Sequence, residues 1–211
     1  MKITEKPFSR FLIVWIGQLI SKVGAGISAF ALGIFLFQRI GTTSAYSFLL
    51  LCAVLPSILL APIGGVFADR MDRKLMMLIA DLGAAFCVLF ILIMIVISPD
   101  SYWPIYVGIT LCSISTAFHS PAYKASISDI LDEASYAKAS GLIQLAEASR
   151  YLIAPMIAGL LMTKLSVSWV LGIDFFTFLF AALCVLAIRT VTATKPISQT
   201  TNDFKMVNRS N

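Results

Sequence analysis

Charge is what this sequence has least of. Asp, Glu, Lys and Arg make up 13% of its 211 residues, against about 25% in an ordinary soluble domain. A water-soluble fold of this length could not cover its surface with so few polar groups. Histidine occurs once, at His119, and no His, Cys, Asp and Glu spacing suggests a metal site. There is no Gly-x-Ser-x-Gly turn and no glycine-rich loop leading into Lys-Ser or Lys-Thr. These absences argue against an intramembrane enzyme and against a nucleotide-driven pump, and no cofactor is expected. The four cysteines, Cys52, Cys87, Cys112 and Cys184, lie inside apolar blocks without a disulfide or metal spacing, so they read as small packing residues. The alternating ten-residue segments of a membrane barrel are also missing.

What the chain has instead is apolar length: 59% hydrophobic residues and a mean hydropathy of +0.90. Ile40 to Ala68 and Leu82 to Pro99 carry no charge at all, and a bilayer-spanning helix needs roughly 20 largely apolar residues. Turn and charge punctuation predicts six helices near 11–37, 45–67, 75–97, 103–123, 138–163 and 168–188. They are flanked by a short N-terminal segment, 1–10, and a polar tail, 190–211. The apolar stretch after Lys2, Lys6 and Arg10 is far longer than a signal-peptide core, which makes it an uncleaved first helix.

Lys and Arg distribute unevenly between the two ends of these helices. Twelve of the sixteen fall in or directly beside the N-terminal segment, the 68–74 loop, the 124–137 region and the tail, counting Lys138 and Arg189 at their edges. Only Arg39 and Lys164 fall on the other side. The positive-inside rule then makes the N-terminus and the tail cytoplasmic in a multi-pass protein of the cell membrane. The same bias accounts for the net charge of +5 without a nucleic-acid partner.

The second helix ends in Gly64-Gly65-Val66-Phe67-Ala68-Asp69-Arg70-Met71-Asp72-Arg73-Lys74. This stretch resembles the signature loop between helices 2 and 3 of the major facilitator superfamily, G-x-x-x-D-R-x-G-R-K/R. Gly65, Asp69, Arg70, Arg73 and Lys74 match it position by position, and Asp72 stands where many members have glycine. Gly65 would let a neighbouring helix approach closely, and Arg73 would supply the fork for a conformational latch. The simpler alternative is that the three cations only enforce topology. Trp15-Ile16-Gly17-Gln18, Ala80-Asp81-Leu82 and Thr116-Ala117-Phe118-His119-Ser120-Pro121-Ala122 extend the resemblance toward macrolide-efflux-type drug exporters. In the fifth helix Pro155 and Gly159 match the family's antiporter motif, G-x-x-x-G-P-x-x-G-G, with Ala154 and Ala158 in place of glycines and Arg150 in place of the first. A plain kinked helix is the alternative there. The arginine that many members carry in the fourth helix is absent, so its role is not carried over.

The resemblance implies an all-α membrane protein: a six-transmembrane-helix bundle, the N-terminal half of a major facilitator fold built from two inverted three-helix repeats. Asp81 recurs as Asp174 and Ala61-Pro62 as Ala154-Pro155 at one common offset, as an internal repeat would produce. It also implies a secondary active exporter, proton-coupled, moving hydrophobic small molecules by alternating access. The expected partners are the substrate, protons, the lipid bilayer and a second six-helix half, from the same chain or another copy. A truncated or non-transporting half, acting as a membrane partner or remnant, is the alternative.

Ionised groups inside a membrane are costly, about 2.5–3.5 kcal/mol each at the helix centre on insertion scales. Lys22 and Glu147 lie deep in their predicted helices, and Ser140, Gln144, Glu147 and Tyr151 share one helical stripe. Glu147 is therefore the expected protonatable or cation-recognising group of a transport path, with Lys22 and Arg150 competing for it. A fixed ion pair between the first and fifth helices is the alternative. His119 is a further candidate, or a hydrogen-bonded packing residue. Asp81 and Asp174 lie near their predicted helix starts, where both are expected to reach interfacial water.

Overall fold

The computed structural model describes residues 7–128, 131 and 133–193. Six helices account for nearly all of them: α1 (Pro7–Ile40), α2 (Thr43–Arg70), α3 (Arg73–Ile97), α4 (Trp103–Ser128), α5 (Glu133–Met162) and α6 (Val167–Ala193). No strand occurs among the described residues. The expected segment up to residue 6 and the expected tail from residue 194 lie outside the description.

The helices run past the apolar blocks that mark them in the sequence. Helix α1 begins at Pro7 and ends at Ile40, and α6 continues to Ala193. Most of the expected 124–136 loop is helical as well, shared between the end of α4 and the start of α5. The reason is that hydropathy marks only the part of a helix matched to the bilayer, whereas backbone hydrogen bonding continues into the polar ends.

Five helices, α1, α2, α3, α5 and α6, are long and apolar enough to cross a membrane by length and composition. Helix α4 is not among them, because Ser113, Ser115, Thr116, Ser120 and Ser126 dilute its apolar character. Its position explains how that is tolerated: it packs against both α2 and α3 and buries a long stripe from Pro104 to Ile127.

The packing has an internal two-fold pattern. Helix α1 packs on α5 and α6, α4 packs on α2 and α3, and α3 packs on α6. Exchanging the first three helices for the last three maps this set of contacts onto itself. That is the arrangement of two inverted three-helix repeats, with α1 and α4 as the inner helices. Polarity is inverted relative to a soluble protein. Gln18, Ser21, Ser28, Asp81, Ser113, His119 and Asp174 are buried, while Phe86, Met156, Leu160 and Trp169 face outward.

Small residues set the distances. A Cβ at Gly64 would stand 2.3 Å from the Ala117 carbonyl oxygen of α4, whereas one at Gly65 would meet nothing within 4 Å. The close approach expected at Gly65 is thus made by Gly64, one position and about 100° around the helix. Gly26 does the same between α1 and α5, against the Arg150 carbonyl oxygen at 2.6 Å.

The α2–α3 turn is built from the same motif. Asp72 is the N-cap of α3, its Oδ1 accepting from Lys74 N at 3.0 Å and Leu75 N at 3.2 Å. An aspartate in place of the family's glycine therefore satisfies two backbone donors that begin a helix. Arg73 donates from Nε to Ala68 O at 3.3 Å and from Nη1 to Ala125 O at 2.9 Å. Its positive charge sits at the carbonyl-rich C-terminal ends of both α2 and α4 and joins them.

Gly64→Val should destabilise the bundle by about 1–3 kcal/mol through forced separation of α2 from α4. Gly65→Ala should leave it unchanged. Thermal unfolding of both variants in detergent, against wild type, measures the contrast.

Candidate functional site

Six helices of this pattern leave a cleft where the inner helices face α2 and α5. The cavity measures about 550 Å³ and takes residues from all six helices. On α1 the lining positions are Gln18, Ser21, Lys22, Ala25, Ser28, Ala29 and Leu32, the three- and four-residue spacing of one helical face. From α2 come Ser57 and Ile58, from α4 Ser113 and His119, and from α5 Glu147, Arg150 and Tyr151. Pro56 disturbs the local α2 ladder, and Ser57 N donates across to Ser113 Oγ at 3.0 Å.

Lys22 Nζ donates to Glu147 Oε1, joining α1 to α5 across the cavity. The Lys22 side chain is 13% exposed and that of Glu147 35%, so the pair is shielded on one side and open to the cavity on the other. A charge in this position keeps its energy low only while a counter-charge or water is near it. Arg150 stands one turn from Glu147, its guanidinium 5.8 Å from the ring centre of Tyr151. A cation over an aromatic face is favourable where water is scarce.

Beneath this pair lies a second set of polar groups. Gln18 Nε2 donates to Asp81 Oδ2 at 3.0 Å. His119 Nε2 stands 3.4 Å from Asp81 Oδ1 without completing a hydrogen bond. On α6, which packs against α3, Thr177 Oγ1 donates to Asp174 Oδ1 at 3.2 Å. Asp81 and Asp174 are only 4% and 2% exposed. The expectation that both reach interfacial water is overturned: each faces inward, into the bundle and the cavity. Counting residues from a helix start gives depth but not rotation, and rotation decides here. The signal that could have found them is their common repeat offset.

The other candidate residues distribute as follows. Lys22, His119, Glu147 and Arg150 meet at the cavity, while Gln144 is exposed and not part of its lining. Asp69 and Arg70 are exposed at the end of α2, with Arg73 and Lys74 beginning α3. Pro155 and Gly159 lie in α5, and a Cβ at Gly159 would meet nothing within 4 Å.

Known proteins show the same pattern in sequence. The profile of the Major Facilitator Superfamily matches residues 14–208. The chain belongs to this superfamily. It is 30% identical to macrolide efflux protein A of Streptococcus pyogenes over 182 residues, which are 85% of this chain and 44% of that protein. A macrolide efflux protein A of Enterococcus faecalis is 33% identical over 141 residues, 66% of this chain and 43% of the relative. The MFS-type transporter YfiS of Bacillus subtilis is 26% identical over 184 residues, 85% and 43%. The chain thus spans less than half the length of these relatives. It is a multi-pass membrane protein of a transporter family.

Lys22→Met alone should cost on the order of 1–2 kcal/mol, less than for a deeply buried pair because Glu147 is partly exposed. Adding Glu147→Gln should recover most of that loss, since no charge is then left alone. A double-mutant cycle of thermal unfolding in lipid measures both.

Proposed function

We propose that the chain forms one six-helix half of a secondary active exporter that moves hydrophobic small molecules by alternating access, coupled to protons. The observation that carries this reading is the cavity itself. A space of about 550 Å³ lined by both apolar and polar side chains inside a membrane bundle holds an ion pair, Lys22–Glu147, that has no packing need to be charged. Intramembrane ionisable groups facing a cavity mark transport paths as a rule. The superfamily membership and the similarity to macrolide efflux proteins support export of hydrophobic compounds such as macrolides.

In this reading Glu147 exchanges between Lys22, a proton and a cationic group of the substrate, and Arg150 competes for it from one turn away. The exposed apolar faces of α2 and α5, including Ile58, Leu59, Leu152 and Met156, are where a second six-helix bundle docks. Rocking of the two bundles exposes the site first to one side of the membrane and then to the other. Asp69, Arg70, Arg73 and Lys74 at the α2–α3 turn, with the open Gly65, form the switch that holds one of these states. Pro155 and Gly159 shape the α5 side of the contact. The N-terminus and the end of the chain lie in the cytoplasm, as the positive-inside count requires.

The test is macrolide accumulation in cells expressing the protein from its native locus. Wild type should keep accumulation low, a protonophore should raise it, and Glu147→Gln should raise it to the level of a deletion strain at equal membrane abundance. Undiminished export by Glu147→Gln would remove the carboxylate from the transport path.

A further inference from the structure

The Lys22–Glu147 pair does not use the buried groups below it. Asp81 on α3 and His119 on α4 are both nine-tenths or more buried, both line the cavity, and their nearest polar atoms are 3.4 Å apart. Gln18 on α1 holds the other carboxylate oxygen of Asp81. His119 Nε2 has no hydrogen-bond partner as it stands, and a movement of a few tenths of an ångström would complete one to Asp81.

We infer that Asp81 and His119 form a second proton-binding centre of the bundle, distinct from Lys22–Glu147, in which one proton is shared between the carboxylate and the imidazole. With the proton bound, the pair is an imidazolium facing a carboxylate, or a neutral acid facing a neutral imidazole. Both forms satisfy Nε2 and Oδ1 together. Release of the proton to the cavity leaves a carboxylate and a neutral imidazole, and the negative charge is then held by the Gln18 amide and faces Lys22 across the cavity. Such a pair titrates as a unit.

The geometry gives the centre its consequence. Asp81 belongs to the first three-helix repeat and His119 to the second, so occupancy by the proton alters a contact between the two repeats. The titratable and charged groups around it are Lys22 on α1, Cys112, Tyr123 and Lys124 on α4, Glu147, Arg150 and Tyr151 on α5, and Asp174 and Cys184 on α6. From α2 the cavity receives only Ser57 and apolar side chains. Lys22 is the cation that both carboxylates, Asp81 and Glu147, face across the cavity. A change of charge at Asp81–His119 therefore shifts the balance within the Lys22–Glu147 pair. The inference does not need the chain to export anything, because the proton is read directly.

His119 is the chain's single histidine, which makes the test direct. The protein is produced at full length with a histidine-free affinity tag, labelled with ¹⁵N-histidine and placed in lipid nanodiscs. The His119 signal is identified by its loss in His119→Asn. Across pH 5–9 the His119 ring signals should shift as the shared proton leaves, whichever of the two groups carries it, and Asp81→Asn should move the midpoint of that shift by about 1–3 pH units. Gln18→Leu should move it by less. An unmoved midpoint in Asp81→Asn, or an imidazole whose signal is constant from pH 5 to 9, would overturn the inference. Should Asp81→Asn not fold, the wild type decides alone: a hydrogen-bonded Nε2 proton protected from water supports the shared centre, and one exchanging as in free imidazole refutes it.

Discussion

Charges inside a membrane must be answered from within the protein, and the arrangement of this bundle follows from that constraint. Lys22 and Glu147 sit on different helices and meet across a cavity. Their meeting requires α1 to lie against α5, which Gly26 permits by bringing the Arg150 backbone close. Asp81 requires Gln18 and His119 nearby, and so ties α3 to α1 and α4. Each polar contact fixes the rotation of a helix about its own axis, something that lipid-facing Leu and Phe cannot do, because lipid accepts them at any angle.

The same constraint explains the uneven chemistry of the six helices. Helix α4 carries the most hydroxyls, its most apolar stretch is less hydropathic than those of the other five, and it packs against both α2 and α3. Its serines and threonines return hydrogen bonds to carbonyls within the helix, as with Thr116 to Cys112 O at 3.0 Å, or accept across a helix contact, as Ser113 does from Ser57 N. Helix α2 is the opposite case, with most of its large apolar side chains outward, while Gly64 lies directly on the α4 backbone and Phe48 and Phe67 stack edge-on against Tyr106 and Phe118. A helix of that kind contributes a surface, and a helix like α4 contributes a cavity wall.

Much of this was legible in the sequence, in proportion to how one-dimensional each feature is. Six apolar blocks and the signature loop at Gly65–Lys74 need only composition and spacing. Depth is also one-dimensional, and it places Lys22 and Glu147 well inside their helices. Rotation is not. Gly64 and Gly65 are adjacent, and only the position of Ala117 decides which one makes the contact. Gln144 and Glu147 share a sequence stripe, yet one is exposed and the other lines the cavity. A short distance from a helix start points Asp81 and Asp174 toward water, but both are buried. Their inward direction depends on partners, Gln18 for one and Thr177 for the other. Asp72 shows the reverse: a departure from the family pattern that the sequence left unexplained is an N-cap once α3 is seen to begin at Arg73.

The polar contacts between the helices require the bundle to enclose a water-accessible cavity inside the membrane. Thiol accessibility in a cysteine-free background, with Cys52, Cys87, Cys112 and Cys184 replaced, measures this directly. Cysteines placed at Ser57 and Tyr151, on the cavity wall, should react with a membrane-impermeant maleimide in lipid vesicles. One placed at Phe86, which is 72% exposed on the outer face, should not, because lipid covers it. Equal protection of all three positions would contradict the account.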